Sequence, residues 1–252
     1  MRKIGPRRSV AAKNLSIALP NESKESIAHL VDATYEHLVW TGLELIILQR
    51  EPKQALLWVE AENAELLDEL YGKGAILMTP HVGSWELAGA WVAQRGCKVT
   101  VIARDPDDGE DRDLINGMRR RTGIMLLSRG GSMKPAISVL KRGEFLGILP
   151  DQHGGGEGIS VPFFGIETST SHGPAVFAYL TGRPIVPVLS RRLSPFRHKV
   201  KVCPPIEPGG YRSRDEAIFE MTRAVNKSVE QAILEAPGQW LAQHKRFKEM
   251  KY

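Results

Sequence analysis

Residues 74–94 read GAILMTPHVGSWELAGAWVAQ, and the fold is decided there. Ala75 to Thr79 form a short apolar run between Gly74 and Pro80. Its length and its flanking breakers predict a buried strand. Ser84 stands where a helix cap belongs, and Trp85 to Gln94 then continue as a helix that Gly96 stops. A buried strand passing through a short loop into a helix is the half-unit of a parallel α/β sheet.

The same alternation runs outward toward the C-terminus. Strands are predicted at Lys98–Ala103, Ile124–Leu127, Glu144–Leu149, Pro184–Arg191 and Lys199–Cys203, the last two joined by a turn at Ser194-Pro195. Helices are predicted at Asp111–Arg121, Ser132–Lys141, Thr170–Leu180 and Ser213–Glu235. Asp151 to Gly158, carrying four glycines among eight residues, reads as a mobile loop. Toward the N-terminus the pattern changes to helix spacing: Asn21 or Ser23 caps a helix reaching Leu48, Pro52 opens another, and a third ends at Gly72. The expectation is one domain over 1–252, with a helical layer at 1–72 and an α/β core at 73–252 whose largely parallel central sheet is flanked by helices.

Composition narrows the classes. The 252 residues are 42% hydrophobic and 25% charged, ordinary for a globular chain. The net charge of +5 favours acidic partners without choosing among lipid, carrier protein and nucleic acid. Cys97 and Cys203 lie outside any CxxC pair and read as thiols of a reducing compartment. No cluster has metal-ligand spacing, so no metal is implied. The basic start, with Arg2, Lys3, Arg7 and Arg8, has no apolar core of a signal peptide behind it but suits anionic headgroups. Leu38 to Leu48 is interrupted by Glu44 and is far short of the roughly 20 residues that span a bilayer. Membrane contact is therefore expected to be peripheral, unless an anchor lies outside this chain.

His81 sits on the loop after the first core strand and Glu86 in the first turn of the next helix, the place where parallel sheets bind ligands. A carboxylate facing an imidazole fixes its tautomer and raises its basicity. On this reading Glu86 orients His81.

The stretch His81-Val-Gly-Ser-Trp-Glu86 resembles the H-x4-D/E motif of glycerolipid acyltransferases. The chain more narrowly resembles the bacterial lipid A biosynthesis acyltransferases, the lauroyl/myristoyl transferase family, from about Asn14 onward. Arg104, Arg119-Arg-Arg-Thr-Gly123, Lys141 to Gln152, Val161-Pro-Phe-Phe-Gly165, Thr170 with Gly173, Thr181 to Pro187, Pro237-Gly-Gln-Trp240 and His244-Lys-Arg-Phe-Lys248 carry the likeness in order. It implies a glycerol-3-phosphate acyltransferase-like fold. It implies His81 as general base, with direct attack of an acceptor hydroxyl on a thioester, and substrate-binding positions at Arg104, Arg119 and Asp151. Arg119 suits a phosphate through its planar fork, and Asp151 suits the orientation of Arg119 or a substrate. The donor implied is acyl carrier protein thioester or acyl-CoA, with no further cofactor. The implied acceptor is a glycolipid such as a lipid A precursor, at the cytoplasmic face of a bacterial inner membrane.

Other readings stay open beside it. Relatives that acylate phosphatidylinositol mannosides or other polar lipids share the motif set, and a thioesterase or a non-catalytic binder of anionic lipid fits the charge. His153-Gly-Gly-Gly156 looks like a hydrolase oxyanion loop, but the G-x-S-x-G that such a fold needs is missing. No P-loop, dinucleotide fingerprint or RNA-binding signature is present. Trp85, Trp91, Phe163 and Phe164 are candidates to line an acyl groove.

Overall fold

The structure is a computed structural model that describes residues 5–103, 109–128, 130–131 and 133–250. Three helical segments open it: α1 (Arg8–Ala18), α2 (Lys24–Leu48) and α3 (Gln54–Trp58). Strand β1 (Val59–Glu62) and helix α4 (Glu65–Leu70) lead into the core. There follow β2 (Ala75–Met78), α5 (Trp85–Gln94), β3 (Val99–Ala103), α6 (Gly109–Arg121), β4 (Met125–Ser128), α7 (Met133–Lys141) and β5 (Phe145–Ile148). The chain closes with β6 (Ile159–Phe163), β7 (Ile166–Thr170), α8 (Gly173–Thr181), β8 (Ile185–Ser194), β9 (Arg197–Val202) and α9 (Arg214–Glu235).

Seven strands form one sheet in the order β1-β9-β8-β2-β5-β3-β4. Strands β8, β2, β5, β3 and β4 run parallel, while β9 turns back antiparallel on β8 and carries β1 with it. Strand β2 lies in the middle and every residue of it is buried, because helices cover both faces. Its alternation sorts the core. Ile76 and Met78 pack with α8 and α9 residues such as Phe177 and Met221, while Ala75 and Leu77 face Leu87, Ala88 and Trp91 of α5.

The α/β class and the N-terminal helices agree with expectation, and two elements do not. Val59–Glu62, read as part of the helical layer, is an edge strand: Glu60 pairs with Arg197, and Glu62 with Lys199 and Lys201 of the neighbouring strand. Four residues are too few to separate helix from strand by period, and the partner strand lies far along the chain. Thr170 ends a strand rather than starting a helix. Strands β6 and β7 form a hairpin whose turn, Phe164-Gly165, has φ 49° and 74°, values a two-residue hairpin turn demands. Helix α8 begins only at Gly173, with Pro174 in its first turn.

Ser23 and Ser213 cap α2 and α9 by accepting from the amides of Ser26 and Glu216. Arg8 of the basic start is paired with Asp32, and Arg2 and Lys3 lie outside the described residues. Among the described residues no helix is long and apolar enough to cross a membrane.

Candidate active site

The site grows from strand register. Strands β2 and β5 are parallel neighbours with Met78 opposite Ile148. Each runs into one residue and then a buried proline, Thr79-Pro80 and Leu149-Pro150. The residues three beyond each strand end, His81 and Asp151, therefore arrive side by side. Nδ1 of His81 donates to Oδ1 of Asp151 at 2.7 Å. The Asp151 side chain is 2% exposed and that of His81 18%. Burial pushes the Asp151 carboxyl up, but the charge and the hydrogen bond of His81 outweigh it and hold the group below its ordinary value. With Nδ1 committed to a carboxylate, a ring that carries that one proton leaves Nε2 bare as a proton acceptor.

Glu86 is turned elsewhere. It lies in the first turn of α5, and its carboxylate takes hydrogen bonds from Arg119 in the last turn of α6: Nε at 3.1 and 3.0 Å, Nη2 at 2.5 Å. The indole of Trp85 adds a bond at 3.1 Å. Burial works against the Arg119 charge, yet the Glu86 carboxylate raises its pKa. The contacts differ from expectation: Asp151, not Glu86, meets His81, and Arg119 is held by Glu86. Strand pairing sets the first contact and the rotation of α5 toward α6 sets the second. Arg104 lies outside the described residues.

His81, Glu86 and Arg119 all line a cavity of about 840 Å³, within the range of small-molecule sites. Its mouth holds His81, Glu86, Arg119, Gln152, His153, His244 and Lys248. From there an apolar arm runs between α5 and the sheet along Leu77, Ala88, Gly89, Val92, Val101 and Ile124. Of the aromatic candidates Trp85 lines it, edge-on to His81 at 5.1 Å between ring centroids. Trp91 and Phe163 are core residues, and Phe163 instead packs on Trp240 and Phe247.

The glycine-rich loop over the mouth is tied down. Nδ1 of His153 accepts from the Gly155 amide at 2.9 Å, and its Nε2 donates to Glu249 at 2.9 Å. A Cβ on Gly154 would fall 2.7 Å from the backbone of Thr170, so glycine serves close packing there.

The C-terminal segment supports the site from below, a role the sequence reading left open. The Leu241 amide donates to the His81 carbonyl at 2.8 Å and the Gly83 amide to the Gln239 carbonyl at 3.1 Å. Asn14 donates to the carbonyls of Ala242 and His244 at 2.8 and 2.7 Å. Burial takes His244 down to about 4, and does the same to His37, which lies under the His81 loop. Both rings stay neutral in the folded chain at a pH where the unfolded chain protonates them. Their contribution to stability is full above about pH 6.5 and is lost as pH falls toward about 4. Urea midpoints compared at about pH 7.5 and 5 are expected to drop, with a smaller drop in His244→Gln.

A largely parallel α/β sheet that sets a histidine–carboxylate pair beside a cavity with an apolar arm has the parts of an acyl-transfer site, and the comparisons with known proteins place the chain among the acyltransferases. Its match to the family described as bacterial lipid A biosynthesis acyltransferase runs over residues 1–249, and the chain belongs to that family. It is 25% identical over 248 residues to the lipid A biosynthesis palmitoleoyltransferase of Escherichia coli K12, covering 96% of this chain and 79% of that one. It is 26% identical over 249 residues to the lauroyltransferase of the same organism, with the same coverage. The phosphatidylinositol mannoside acyltransferase of Mycobacterium tuberculosis H37Rv is 31% identical over 121 residues, covering 46% of this chain and 38% of that one.

Proposed function

We propose that this acyltransferase moves a fatty acyl group from a carrier thioester to a hydroxyl of a lipid A precursor, with His81 as general base and Asp151 as its orienter. The observation that carries the reading is the His81–Asp151 contact of 2.7 Å at the mouth of a cavity with an apolar arm. The arm suits an acyl chain and puts a thioester carbonyl near Nε2. The acceptor hydroxyl gives its proton to Nε2 as its oxygen attacks the carbonyl carbon. The C–S bond then breaks, and the leaving thiolate takes the proton from the imidazolium. The products are the ester and a free thiol, on acyl carrier protein or on coenzyme A.

Arg119, held by Glu86 through Nε and Nη2, makes no hydrogen bond to a described residue through Nη1. That edge suits a phosphate on acceptor or donor. Such lipids reside in a bilayer, so the working protein sits against a membrane, in this reading the cytoplasmic face of a bacterial inner membrane. A phosphatidylinositol mannoside is the second acceptor to consider, since that relative is the more identical one over its matched stretch.

The test incubates purified protein with a fatty acyl thioester of acyl carrier protein or coenzyme A, radiolabelled in the acyl chain, and with a lipid A precursor or a phosphatidylinositol mannoside. Label moving to the precursor supports the reading. Label moving only to the mannoside moves the acceptor, and label released only as free acid makes the protein a thioesterase. The arm makes its own prediction. A Cβ on Gly89 would meet only the flexible tip of Ile124, at 2.9 Å. Gly89→Leu is therefore expected to fold, since a helix interior favours leucine over glycine by about 0.5–1 kcal/mol. By filling the arm it should shift donor preference to chains shorter by about 2–4 carbons, each methylene being worth roughly 1–3 kcal/mol. Competition between donors of different length reads this directly.

A further inference from the structure

Beneath the loop that links His81 to Glu86 lies a buried charged cluster that the reaction does not use. Glu44 of α2 and His198 of β9 have no exposed surface, and the Arg192 side chain of β8 is 7% exposed. Arg192 donates to Glu44 through Nε at 3.1 Å and Nη2 at 2.6 Å, and His198 through Nε2 at 2.8 Å. Arg192 also donates to Nδ1 of His37. Two of the bonds that leave the cluster end on the loop. Nε2 of His37 donates to the Gly83 carbonyl at 2.9 Å, and the Ser84 hydroxyl donates to Glu44 at 3.0 Å.

Three local sacrifices converge here. A buried ion pair is often no more stable than apolar residues of the same volume. Nδ1 of His198 is buried without a hydrogen-bond partner among the described residues, which is unfavourable. Ser84 occupies the N-cap of α5 yet accepts no cap bond, its hydroxyl being turned to donate to Glu44. A serine cap ordinarily stabilises a helix by about 1 kcal/mol. Departures from local rules that coincide at one point mark a place where geometry matters more than stability. The loop is also pinned from its other sides: the Ser190 hydroxyl donates to the Val82 carbonyl at 3.2 Å, and a Cβ on Gly83 would fall 2.0 Å from the Ser190 carbonyl oxygen.

We propose that Glu44, Arg192 and His37 are positioning residues for acyl transfer: by fixing the Gly83 carbonyl and the Ser84 hydroxyl they hold His81 against Asp151 and Glu86 against Arg119. The helical segment 24–48 is then a working part of the catalytic apparatus, because it contributes Glu44 and His37 to the underside of the loop. The charge states agree with this arrangement. Burial pushes Glu44 up, but His198 and Arg192 bring it down to about 2, so it is ionised. Burial takes His37 to about 4, so its neutral ring can accept from Arg192 and donate to Gly83 at once. The proposal rests on His81 being the base.

The test removes the charges together, since Glu44→Gln alone strands Arg192 and threatens folding. Glu44→Leu combined with Arg192→Met is expected to fold, with a thermal midpoint lowered by the buried His198 ring it leaves unpaired, while kcat falls about 30- to 100-fold, the scale of a 1 Å misplacement from outside the site. Donor KM is expected to stay within about threefold, because the arm is untouched. Ser84→Ala leaves the ion pair intact and keeps the test alive should the double variant not fold. It is expected to lower kcat about tenfold and to weaken the downfield proton resonance of His81 Nδ1–H, which purely structural damage elsewhere leaves in place. Folded variants with kcat within twofold of wild type and an unchanged resonance overturn the proposal. His81→Ala run beside them separates the two ideas: if it still transfers label, the base assignment itself fails, whereas an inert His81→Ala with fully active cluster variants overturns the positioning role alone.

Discussion

Asp151→Asn is expected to lower acyl transfer by about 10³- to 10⁴-fold while leaving the protein folded. The carboxylate accepts the Nδ1 proton of His81 at 2.7 Å and so keeps Nε2 bare toward the cavity. An asparagine amide can turn its NH₂ to Nδ1 instead. The ring then carries its proton on Nε2 and cannot take one from a hydroxyl. Shape is nearly conserved, so KM for donor and acceptor should move little and the loss should fall on kcat. Stability tells the same story with a definite sign. The Asp151 carboxyl is held below its ordinary value, so its contribution is full above the ordinary carboxylate range and fades as pH falls through the folded value. Asp151→Asn should lose that acid sensitivity. The measurement is kcat and KM across about pH 6 to 9, with urea melts from about pH 6 down to 3. A variant retaining more than about a tenth of wild-type kcat removes Asp151 from the orienting role.

The second large effect is expected at the other pair. Glu86→Gln takes the ionised partner from an Arg119 whose side chain is only 24% exposed. Arg119 loses the carboxylate that fixes its fork, and transfer should fall about 10²-fold. The character of the loss differs from that of Asp151→Asn. KM for a phosphorylated acceptor or donor should rise, and the pH dependence of the residual rate should stay that of wild type, because His81 keeps its own carboxylate. Arg119→Lys should lose nearly as much, since an ammonium cannot reproduce the bond from Nε and Nη2 to one carboxylate. A double-mutant cycle over Glu86 and Arg119 should give a coupling of about 1–3 kcal/mol, and one over Glu86 and His81 close to none. If Glu86→Gln instead changes the pH profile as Asp151→Asn does, Glu86 acts on His81 after all.

This change of carboxylate at His81 shows where reading a chain in one dimension stops. His81 and Glu86 are five positions apart, and a local argument pairs what is near. Asp151 is seventy residues from His81 in sequence. A signal for it was nonetheless present. Met78-Thr-Pro-His81 and Ile148-Leu-Pro-Asp151 repeat one pattern, a buried strand, a spacer, a proline and a polar residue. Two such exits from neighbouring parallel strands must bring their polar residues to the same level. Only the strand order was missing, and strand order depends on pairing across the whole sheet.

Glu44 was visible as well, as the charge that interrupts Leu38–Leu48, and it was read as a mark against a membrane span. Its partners Arg192 and His198 come from the far end of the chain. The glycines after Asp151 were read as freedom, whereas the packing of Gly154 on Thr170 shows that they permit contact. Glycine signals an unusual backbone need, but the neighbour that creates the need is invisible in one dimension.

By itself the sequence determined the elements whose causes are local. The buried run at Ala75–Met78, the helix that starts at Trp85, the stops at glycine and the arrival of His81 at a strand end all follow from period, capping and breakers within about ten residues. The ordered motifs also determined the family, since matched residues along the whole chain need no coordinates. Tertiary structure alone decided which carboxylate meets His81 and which meets Arg119, that an N-terminal helix reaches beneath the His81 loop, and that the apolar arm passes between α5 and the sheet. Those outcomes depend on strand order and helix rotation, which are settled by burial of the whole core at once, and no short window of sequence contains that sum.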